Sequence, residues 1–565
     1  MTDYVMNKIF WQKFFRVFSA KERMTVLSLV LLVAVSLVAT VLGIYYSLTK
    51  PVPIPGGDYS EGIIGQPMYV NPVLEAGNEA DADLSRLIYS GLFKYGTDGK
   101  IVPDLAESYE VSTDQLTYTV HLRKNVKWHD GEAFSSDDVL FTIQAVQDPA
   151  FKSPLRQNWQ GVGMEQVDDS TVKFVLPTPY IFFLNNLTVG IIPKHVWETV
   201  APTNFSLAEY NLKPVGTGPF EYSDFQKDSG GMILSYKLIS NPDYFGDKPY
   251  LGSMTFQFYP DEDSMIEDYN NKKILATNSL SPEKLNDVKS KRSANIISAS
   301  LPRYFAVFFN QQKSKVLSDK DVRRALATAT NRKDIVDKIF GGQGREIFSP
   351  IPPGTFGATD DVKKFDFNPE AAKKILDDAG WKSGDDGMRA KNGQALQFTL
   401  VTTDWPQLVD TANILKSQWE AVGAKINIDS ESIGDVQQNF LRPREYEAFL
   451  FGQSWPTAEP DPYSFWHSSQ TKDPGLNLAL YSNPNVDKVL EKLRTETDEG
   501  KRVDLYKNFQ QSVTDDIPAI FLYSPNYLAV VNKKVGGINI TSLVSSDEKF
   551  ADATKWYVNT KRVRK

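Results

Sequence analysis

Two turns combine tryptophan with carboxylates, which is the pattern in this chain that best suits binding of a small molecule. The residues concerned are Asp404, Trp405, Trp455, Glu459 and Asp461. Both turns lie near predicted strand ends, and in open α/β sheets ligand crevices lie at the carboxyl ends of strands. Aromatic walls with a few carboxylates favour a polar, partly cationic, elongated ligand. The alternative is that each tryptophan fills a domain core.

A converging set of catalytic or metal-binding groups is not evident in the sequence. The four histidines include no H-x-x-x-H pair for zinc, and there is no cysteine for thiol chemistry. Residues 452–456 resemble a nucleophile elbow but lack the second glycine that lets the turn close. Ser281 and Lys284 form an S-x-x-K without its companion motifs. The sequence therefore predicts a protein that is not an enzyme and that uses no metal and no cofactor.

Charge and composition narrow the classes of partner. The chain has 565 residues, 41% of them hydrophobic, which is enough for a large core in several domains. Residues 1–50 contain six of the 62 Lys and Arg residues and two of the 70 Asp and Glu residues, so the remainder carries a net charge of −12. That acidity argues against a nucleic-acid partner. Without cysteine, stability depends on the size of the core and not on disulfides.

Residues 25–46 form an apolar run with no charged residue, no proline and one glycine. As a helix this run rises about 33 Å, which is enough to cross the hydrocarbon core of a bilayer. Five Lys and Arg residues precede it against two carboxylates, so the positive-inside rule places 1–24 in the cytoplasm and the main body outside the cell membrane. We expect an uncleaved, single-pass transmembrane anchor. A cleaved signal peptide is the competing interpretation, but no small-x-small cleavage site follows in the right place.

The body of the chain shows strands that alternate with helices. The clearest unit lies at 394–429, where a predicted strand, an amphipathic helix and a second strand follow one another. Such a βαβ unit implies a parallel sheet and a right-handed crossover, and hence an α/β fold. Prolines and glycines at 47–57 predict a short linker before the folded body. The Pro/Gly-rich segment 213–220 predicts a crossing between domains.

Five further segments carry a more specific signal. They are WHDGEAFSSDDVLFT (128–142), PVGTGPF (214–220), NPDYFGDKPYLG (241–252), VRRALATATNRKDIVDKIFGG (322–342) and FNPEAAKKILDDAGW (367–381). In this order they resemble the family 5 extracytoplasmic solute-binding proteins, the dipeptide-, oligopeptide- and nickel-binding components of ATP-driven importers. The resemblance implies a two-lobed clamp like the periplasmic binding proteins, of type II and in its three-domain variant, preceded here by the transmembrane helix.

The resemblance also implies domain boundaries. By analogy, lobe 1 combines 58–88, 215–302 and 515–565, an inserted domain spans 89–214, and lobe 2 spans 303–514. Hinges near 214 and 302 would let the two lobes close over a ligand.

The candidate ligand site departs from the pattern of this family. Its peptide binders commonly show W-x-x-D-x-x-D-P, in which the first aspartate pairs with the α-ammonium of the ligand. Trp455 and Asp461 match, but Ala458 replaces that aspartate, and the adjacent Glu459 is the candidate substitute. Thr402 stands near the position where the dipeptide binder has an arginine for the ligand carboxylate. An oligopeptide bound through its backbone is therefore expected rather than a dipeptide.

Two more residues, Tyr304 and Asn71, complete the candidate ligand-binding set. With Trp455 in contact with the ligand, Trp455→Ala would weaken binding and leave thermal stability nearly unchanged.

The implied function is capture of a peptide outside the membrane and its delivery to the permease subunits of an ABC importer. The membrane is a second partner through the N-terminal helix, and a monomer is expected. Three alternatives remain: a receptor that reports its ligand to a membrane sensor partner, a binder of an oligosaccharide or chelated metal, and a membrane-tethered hydrolase.

Overall fold

The computed structural model describes residues 18–75, 77–96, 99–289, 291–455 and 457–565. Residues 1–17, the larger part of the segment predicted to be cytoplasmic, lie outside these ranges. The longer helices are α1 (Ala20–Leu48), α2 (Glu79–Ile88), α3 (Ser136–Gln147), α4 (Glu262–Asn270), α5 (Lys320–Thr328), α6 (Arg332–Phe340), α7 (Pro369–Asp378), α8 (Pro406–Glu420), α9 (Pro484–Leu493) and α10 (Glu499–Asp516). Single helical turns occur at Phe183–Asn186, Lys194–Trp197, Lys315–Ser318, Ile433–Asp435 and Tyr463–Trp466, with a π-helical turn at Val436–Leu441.

Helix α1 contains the apolar run 25–46 and extends beyond it at both ends. It begins after Ser19, whose side chain and that of Glu22 form a capping box. None of its residues is buried against the rest of the protein, and its most apolar window has a mean hydropathy of 2.7. By length and composition α1 can therefore cross a membrane.

The segment predicted as a Pro/Gly linker, 47–57, includes a short strand. Residues Thr49–Pro53 form strand β1, which pairs antiparallel with β24 (Thr560–Arg564) from the other end of the chain. Prolines 51 and 53 are compatible with this arrangement because each strand of a two-stranded ribbon has a free edge. Over Thr49–Pro53 the predicted linker is therefore paired with the C-terminal strand.

Lobe 1 is built on a seven-stranded mixed sheet assembled from distant parts of the chain. In spatial order its strands are β13 (Ala294–Ala299), β23 (Tyr527–Asn532), β12 (Ala276–Thr277), β2 (Asp58–Ile64), β11 (Ser253–Tyr259), β10 (Ile233–Ser240) and β9 (Phe220–Lys227). Strand β2 runs parallel to β11, with Asp58 opposite Ser253.

The inserted domain contains a four-stranded antiparallel sheet and a small hairpin. The sheet order is β5 (Ala106–Val111), β6 (Thr117–Leu122), β8 (Thr171–Val175) and β7 (Gly163–Asp168), and the hairpin joins β3 (Phe93–Tyr95) to β4 (Ile101–Pro103). Apolar side chains of this domain and of lobe 1 form one continuous buried cluster. The shared core makes lobe 1 and the inserted domain a single packed unit.

Lobe 2 carries a six-stranded sheet with the order β15 (Gly344–Glu346), β22 (Ala519–Pro525), β14 (Arg303–Phe309), β21 (Ala448–Ser454), β19 (Gln397–Thr403) and β20 (Lys425–Glu431). A small sheet of β16 (Lys382–Ser383), β17 (Arg389–Lys391) and β18 (Gln394–Ala395) lies beside it. Strands β19 and β20 are parallel and are joined by α8, as the pattern at 394–429 predicts. Helix α8 buries Leu408, Leu415 and Trp419 against the sheet.

The second crossing between the lobes lies later in the chain than predicted. Strand β22 pairs with β14 in the sheet of lobe 2, whereas β23 pairs with β13 in lobe 1. The chain therefore returns to lobe 1 at residue 526, and the predicted boundary at 515 is wrong. The sequence offers only Pro525, the last residue of β22, and Asn526 as a signal, because both strands are mostly apolar and buried.

Candidate ligand-binding site

The carboxyl ends of several lobe 2 strands meet at the sheet edge that faces lobe 1. Strand β19 runs parallel to β20 and β21, while β14 runs antiparallel to β21 and β22. Thr403 and Ser454, the last residues of β19 and β21, therefore lie at the edge where β14 begins at Arg303. Both tryptophan-containing turns follow these strand ends, as the sequence predicts.

A cavity open to solvent, here called the hinge cavity, lies between the two lobes beside the crossing at 300–302. Lobe 2 contributes Thr355 and Ala458, the inserted domain contributes Gly99, and lobe 1 contributes Ile540 and Trp556. A small molecule in this cavity would contact all three domains.

A second cavity, here called the inner cavity, lies on the other side of the turn at 457–458. It is also open to solvent and lies between α2, the inserted domain and the segment 545–548, with Thr457 reaching it from lobe 2. Glu548 borders both cavities. The turn at 457–458 thus stands between two spaces that an elongated ligand could occupy together.

The inner cavity contains carboxyl groups that are not paired with any cation of the described residues. Its two cations are already paired, Arg86 with Glu548 at 3.0 Å and Lys94 with Asp104 at 2.8 Å. Glu75 and Asp547, which also line the cavity, form no ion pair with any residue that the structure describes. A positively charged group on a ligand could pair with the carboxyl groups of Glu75 and Asp547.

Burial sets the protonation of these carboxyl groups. Loss of solvent, together with the nearby charge of Asp547, raises the pKa of Glu75 to about 8. Loss of solvent also raises the pKa of Glu548 to about 7, against the opposing effect of Arg86. Without a ligand Glu75 is therefore mostly protonated at neutral pH, and a cation placed beside it would favour the ionised form.

Tyr89 contributes an unsatisfied polar group to the same wall. Its side chain is 3% exposed, and its hydroxyl has no hydrogen-bond partner among the described residues. Burial raises the pKa of this hydroxyl, so it remains protonated. A buried polar atom without a partner is unusual in a folded protein. A ligand that hydrogen-bonds to the Tyr89 hydroxyl would remove the free-energy cost of burying it unpaired.

A buried lysine holds the segment that forms one wall of both cavities. Lys549 Nζ lies 2.7 Å from Asp83 and 2.9 Å from Glu61, and all three side chains are almost fully buried. It also donates to Asn278 at 2.7 Å. These bonds fix the segment 545–550 against α2 and β2, so the cavity wall is preorganised.

The structure neutralises the two carboxylates predicted in the second turn. Glu459 pairs with Arg502 at 2.7 Å, and Asp461 lies 3.1 Å from Arg494. Burial raises the pKa of both carboxyls, while the paired arginines lower it. Each is therefore engaged within the protein, and neither faces the ligand as an unpaired anion.

Trp455 and Tyr304 lie behind the cavity wall and not on its surface. Trp455 is 4% exposed and packs between Tyr304 and Phe465, with ring centroids 5.4 and 5.1 Å away. Tyr304 is fully buried and its hydroxyl bonds to Gln453. The packing favours the alternative in which this tryptophan fills a core. Trp455→Ala is therefore expected to lower stability and not to leave it nearly unchanged.

The remaining predicted residues lie in different environments. Asp404 is exposed at the edge of the lobe 2 sheet, and Trp405 beside it is 46% exposed, with its ring 6.1 Å from Phe451. Asn71 is fully buried and donates to Asn211 at 3.0 Å, which ties lobe 1 to the inserted domain. Of the predicted set, Asp404 and Trp405 remain the ones free to touch a ligand.

The residues that give the inner cavity its charge carry no signal in the sequence. Arg86 and Glu548 are 462 positions apart, and Glu75 lies in an irregular segment before α2. No local motif connects them. Only the fold of lobe 1, which brings the last part of the chain onto α2, places them together.

Comparison with known proteins identifies the family. The family model described as "Bacterial extracellular solute-binding proteins, family 5 Middle" matches residues 100–475. The oligopeptide-binding protein AppA of Bacillus subtilis is 31% identical over 488 residues, which cover 84% of this chain and 87% of AppA. The dipeptide-binding protein of Escherichia coli is 28% identical over 507 residues, covering 85% and 91%.

Solved structures agree with the sequence relatives. AppA from Bacillus subtilis in complex with a nonapeptide superposes with a TM-score of 0.72 at 28% identity and covers 90% of this chain and all of AppA. The ABC transporter substrate-binding protein CtaP from Listeria monocytogenes gives a TM-score of 0.77 at 28% identity, covering 89% and 100%.

These matches confirm the predicted resemblance and the type II clamp fold. The family consists of substrate-binding components of ABC importers and not of enzymes, which agrees with the lack of a catalytic motif. This chain is a member of the bacterial extracellular solute-binding proteins, family 5.

Proposed function

We propose that this chain is a membrane-anchored binding protein that captures oligopeptides outside the cell membrane and delivers them to the permease of an ABC importer. The observation that carries the proposal is the pair of cavities on either side of the turn at 457–458. Glu548 borders both cavities and the turn at 457–458 lies between them, so one elongated ligand could occupy the two together, which favours a peptide longer than two residues. The resemblance to AppA, solved with a nonapeptide, supports the same ligand class.

The preferred peptide carries a positive charge within reach of the inner cavity. Ala458 offers no carboxylate for an α-ammonium, and Glu459 is paired with Arg502. Glu75 and Asp547 instead offer carboxyl groups without ion-pair partners among the described residues. A lysine or arginine side chain, or the ammonium of the peptide, would be neutralised there.

Closure brings the inserted domain against lobe 2. A Cβ built on Gly99 would lie 3.3 Å from Ala458 Cβ, and the Ile181 backbone N–H donates to the carbonyl of Arg494 at 3.0 Å. Opening the clamp would break these contacts. Ligand contacts that exist only in the closed state supply the free energy that shifts the equilibrium toward closure.

Helix α1 keeps the binding protein at the membrane. An uncleaved span places the body within a short distance of the permease, which raises its local concentration at the translocator. The strand β1 follows α1 directly, so the tether is short.

The test begins with native mass spectrometry of the full-length protein as purified in detergent, since a closed clamp retains its ligand. Calorimetric titrations with peptides of two to nine residues then define length and charge preference. We expect retained peptides and heats of binding for longer cationic peptides. No bound peptide and no heat with any of them would overturn the proposal, and co-purification with a sensor partner in place of permease subunits would favour the receptor.

A further inference from the structure

The end of the membrane helix is surrounded by positive charge from two distant parts of the chain. Strands β1 and β24 form a ribbon in which Thr49 lies opposite Arg564 and Lys50 lies opposite Val563. The ribbon and the residue after it carry five cations: Lys50, Lys561, Arg562, Arg564 and Lys565. No Asp or Glu occurs within 49–57 or 559–565.

The ribbon is bonded directly to the last turn of α1. The Lys565 backbone N–H donates to the carbonyl of Leu48 at 2.9 Å. Arg562 donates to the carbonyl of Thr49 at 2.7 Å and to that of Tyr46 at 3.2 Å, and its guanidinium lies 4.4 Å from the centroid of the Tyr46 ring. These bonds set the height of the ribbon relative to the helix.

That height coincides with the headgroup layer of a bilayer. Tyrosines 45 and 46 suit the interface between hydrocarbon and headgroups. Strands rise about 3.3 Å per residue, so Lys561, opposite Val52, lies about 13 Å beyond the helix end at Leu48. The cations therefore lie within or next to a headgroup region about 5–8 Å thick on each side of the hydrocarbon core.

Four of the five cations are available to bind an anionic group. Lys50, Lys561, Arg564 and Lys565 are exposed and form no ion pair with the described part of the chain. Their sign is opposite to that of the body, whose net charge beyond residue 50 is −12. A positive ribbon on an acidic body favours an orientation with this end toward an anionic surface.

We propose that the β1–β24 ribbon is a docking surface for anionic phospholipid headgroups of the outer leaflet, which fixes the height and tilt of the clamp above the membrane. The inference rests on the proposed anchoring by α1. The ribbon binds the phosphates of a lipid such as phosphatidylglycerol through its lysines and arginines, and the body is held away from the same surface by its own charge.

The test uses the full-length protein in detergent with an equimolar mixture of phosphatidylglycerol and phosphatidylcholine, read by native mass spectrometry. We expect phosphatidylglycerol to be retained at least five-fold over phosphatidylcholine, since each cation near an anionic surface contributes about that factor. The variant K50Q/K561Q/R564Q/K565Q should lower the ratio several-fold, to the level set by the Lys and Arg residues before α1, which the variant keeps. Arg562 is kept because its bonds hold the ribbon to α1.

A matched control, K425Q/K472Q/K488Q/K492Q, removes four exposed lysines of lobe 2 and should leave the ratio unchanged. Higher ammonium acetate should lower the ratio for the natural sequence, because salt screens exposed charges. A ratio near one for the natural sequence, or a ratio in the ribbon variant equal to that of the natural sequence, would overturn the docking surface. An intact mass without residues 20–48 would overturn both the anchor and the ribbon proposal and leave peptide binding standing.

Discussion

The hydroxyl of Tyr180 donates a hydrogen bond to Asp461 Oδ2 at 3.2 Å, although the two residues are 281 positions apart and lie in different domains. Arg494 completes the contact, because its guanidinium lies 3.1 Å from the same carboxylate and 4.7 Å from the centroid of the Tyr180 ring. Phe182, two residues further on, is buried in the core of lobe 2. The inserted domain is thus held against lobe 2 by a hydrogen bond from Tyr180 and by the buried side chain of Phe182.

Tyr180→Phe should weaken peptide binding without removing any ligand contact. The change deletes a hydrogen bond to a charged group that can form only while the inserted domain touches lobe 2. A loss of about 1–1.5 kcal/mol from the closed state corresponds to a dissociation constant about 5- to 10-fold higher. Calorimetry with the peptide found by native mass spectrometry measures it.

Tyr222→Phe, a half-buried tyrosine of lobe 1, is the control and should bind as the natural protein does. Equal affinity for Tyr180→Phe and the natural protein would show that the Tyr180–Asp461 bond does not contribute to closure.

The two tryptophans of the candidate turns should behave in opposite ways. Trp455→Ala removes a buried ring and should lower the free energy of unfolding by about 3–5 kcal/mol. Trp405→Ala removes a half-exposed ring at the sheet edge and should change stability by less than about 1 kcal/mol while weakening peptide binding. Denaturant unfolding and calorimetry on both variants distinguish a core residue from a ligand contact. A Trp455→Ala protein as stable as the natural one would show that the Trp455 ring is not part of the core.

Peptide affinity should rise with pH between about 6 and 8. Free Glu75 has a pKa near 8 and is mostly protonated at pH 6, so a cation that binds beside its carboxylate must displace a proton. Release of one proton gives an affinity that rises up to about tenfold per pH unit and levels off above pH 8. An N-acetylated peptide with one lysine isolates this effect, because its side chain stays charged, with a pKa of about 10.4.

Titrations in two buffers of different ionisation enthalpy measure the proton released. Glu75→Gln should abolish most of the release, with any remainder assigned to Glu548, while Glu165→Gln on the exposed strand β7 should leave it unchanged. Affinity that stays constant from pH 6 to 8 would exclude Glu75 as the cation's partner.

Lys549→Met should destabilise the protein strongly. It would leave Asp83 and Glu61 buried without their cation, and breaking a buried ion pair on one side costs about 3–5 kcal/mol. Adding Asp83→Asn should restore part of the loss, because one uncompensated charge is removed. Urea unfolding measures the stability of these variants. The control is Lys555→Met, which replaces an exposed lysine and should have nearly the stability of the natural protein.

Local patterns were sufficient for the elements and the family. The alternation at 394–429 predicted β19, α8 and β20, and the apolar run 25–46 predicted α1. The five motif segments led to the family that the comparisons identify. Local patterns did not predict which sheet each of two consecutive apolar strands joins. Strands β22 and β23 look alike in sequence yet belong to different sheets.

The sequence alone determined that this chain is an α/β solute-binding protein with an apolar N-terminal helix, because apolar periodicity and motif residues are properties of neighbouring positions. Only the tertiary structure decided which carboxyl groups are available to a ligand. Glu459 and Asp461 are neutralised by Arg502 and Arg494, while Glu75 remains unpaired in the inner cavity. Pairing and burial depend on neighbours that the fold brings from far along the chain, and these set the charge and pKa of a side chain.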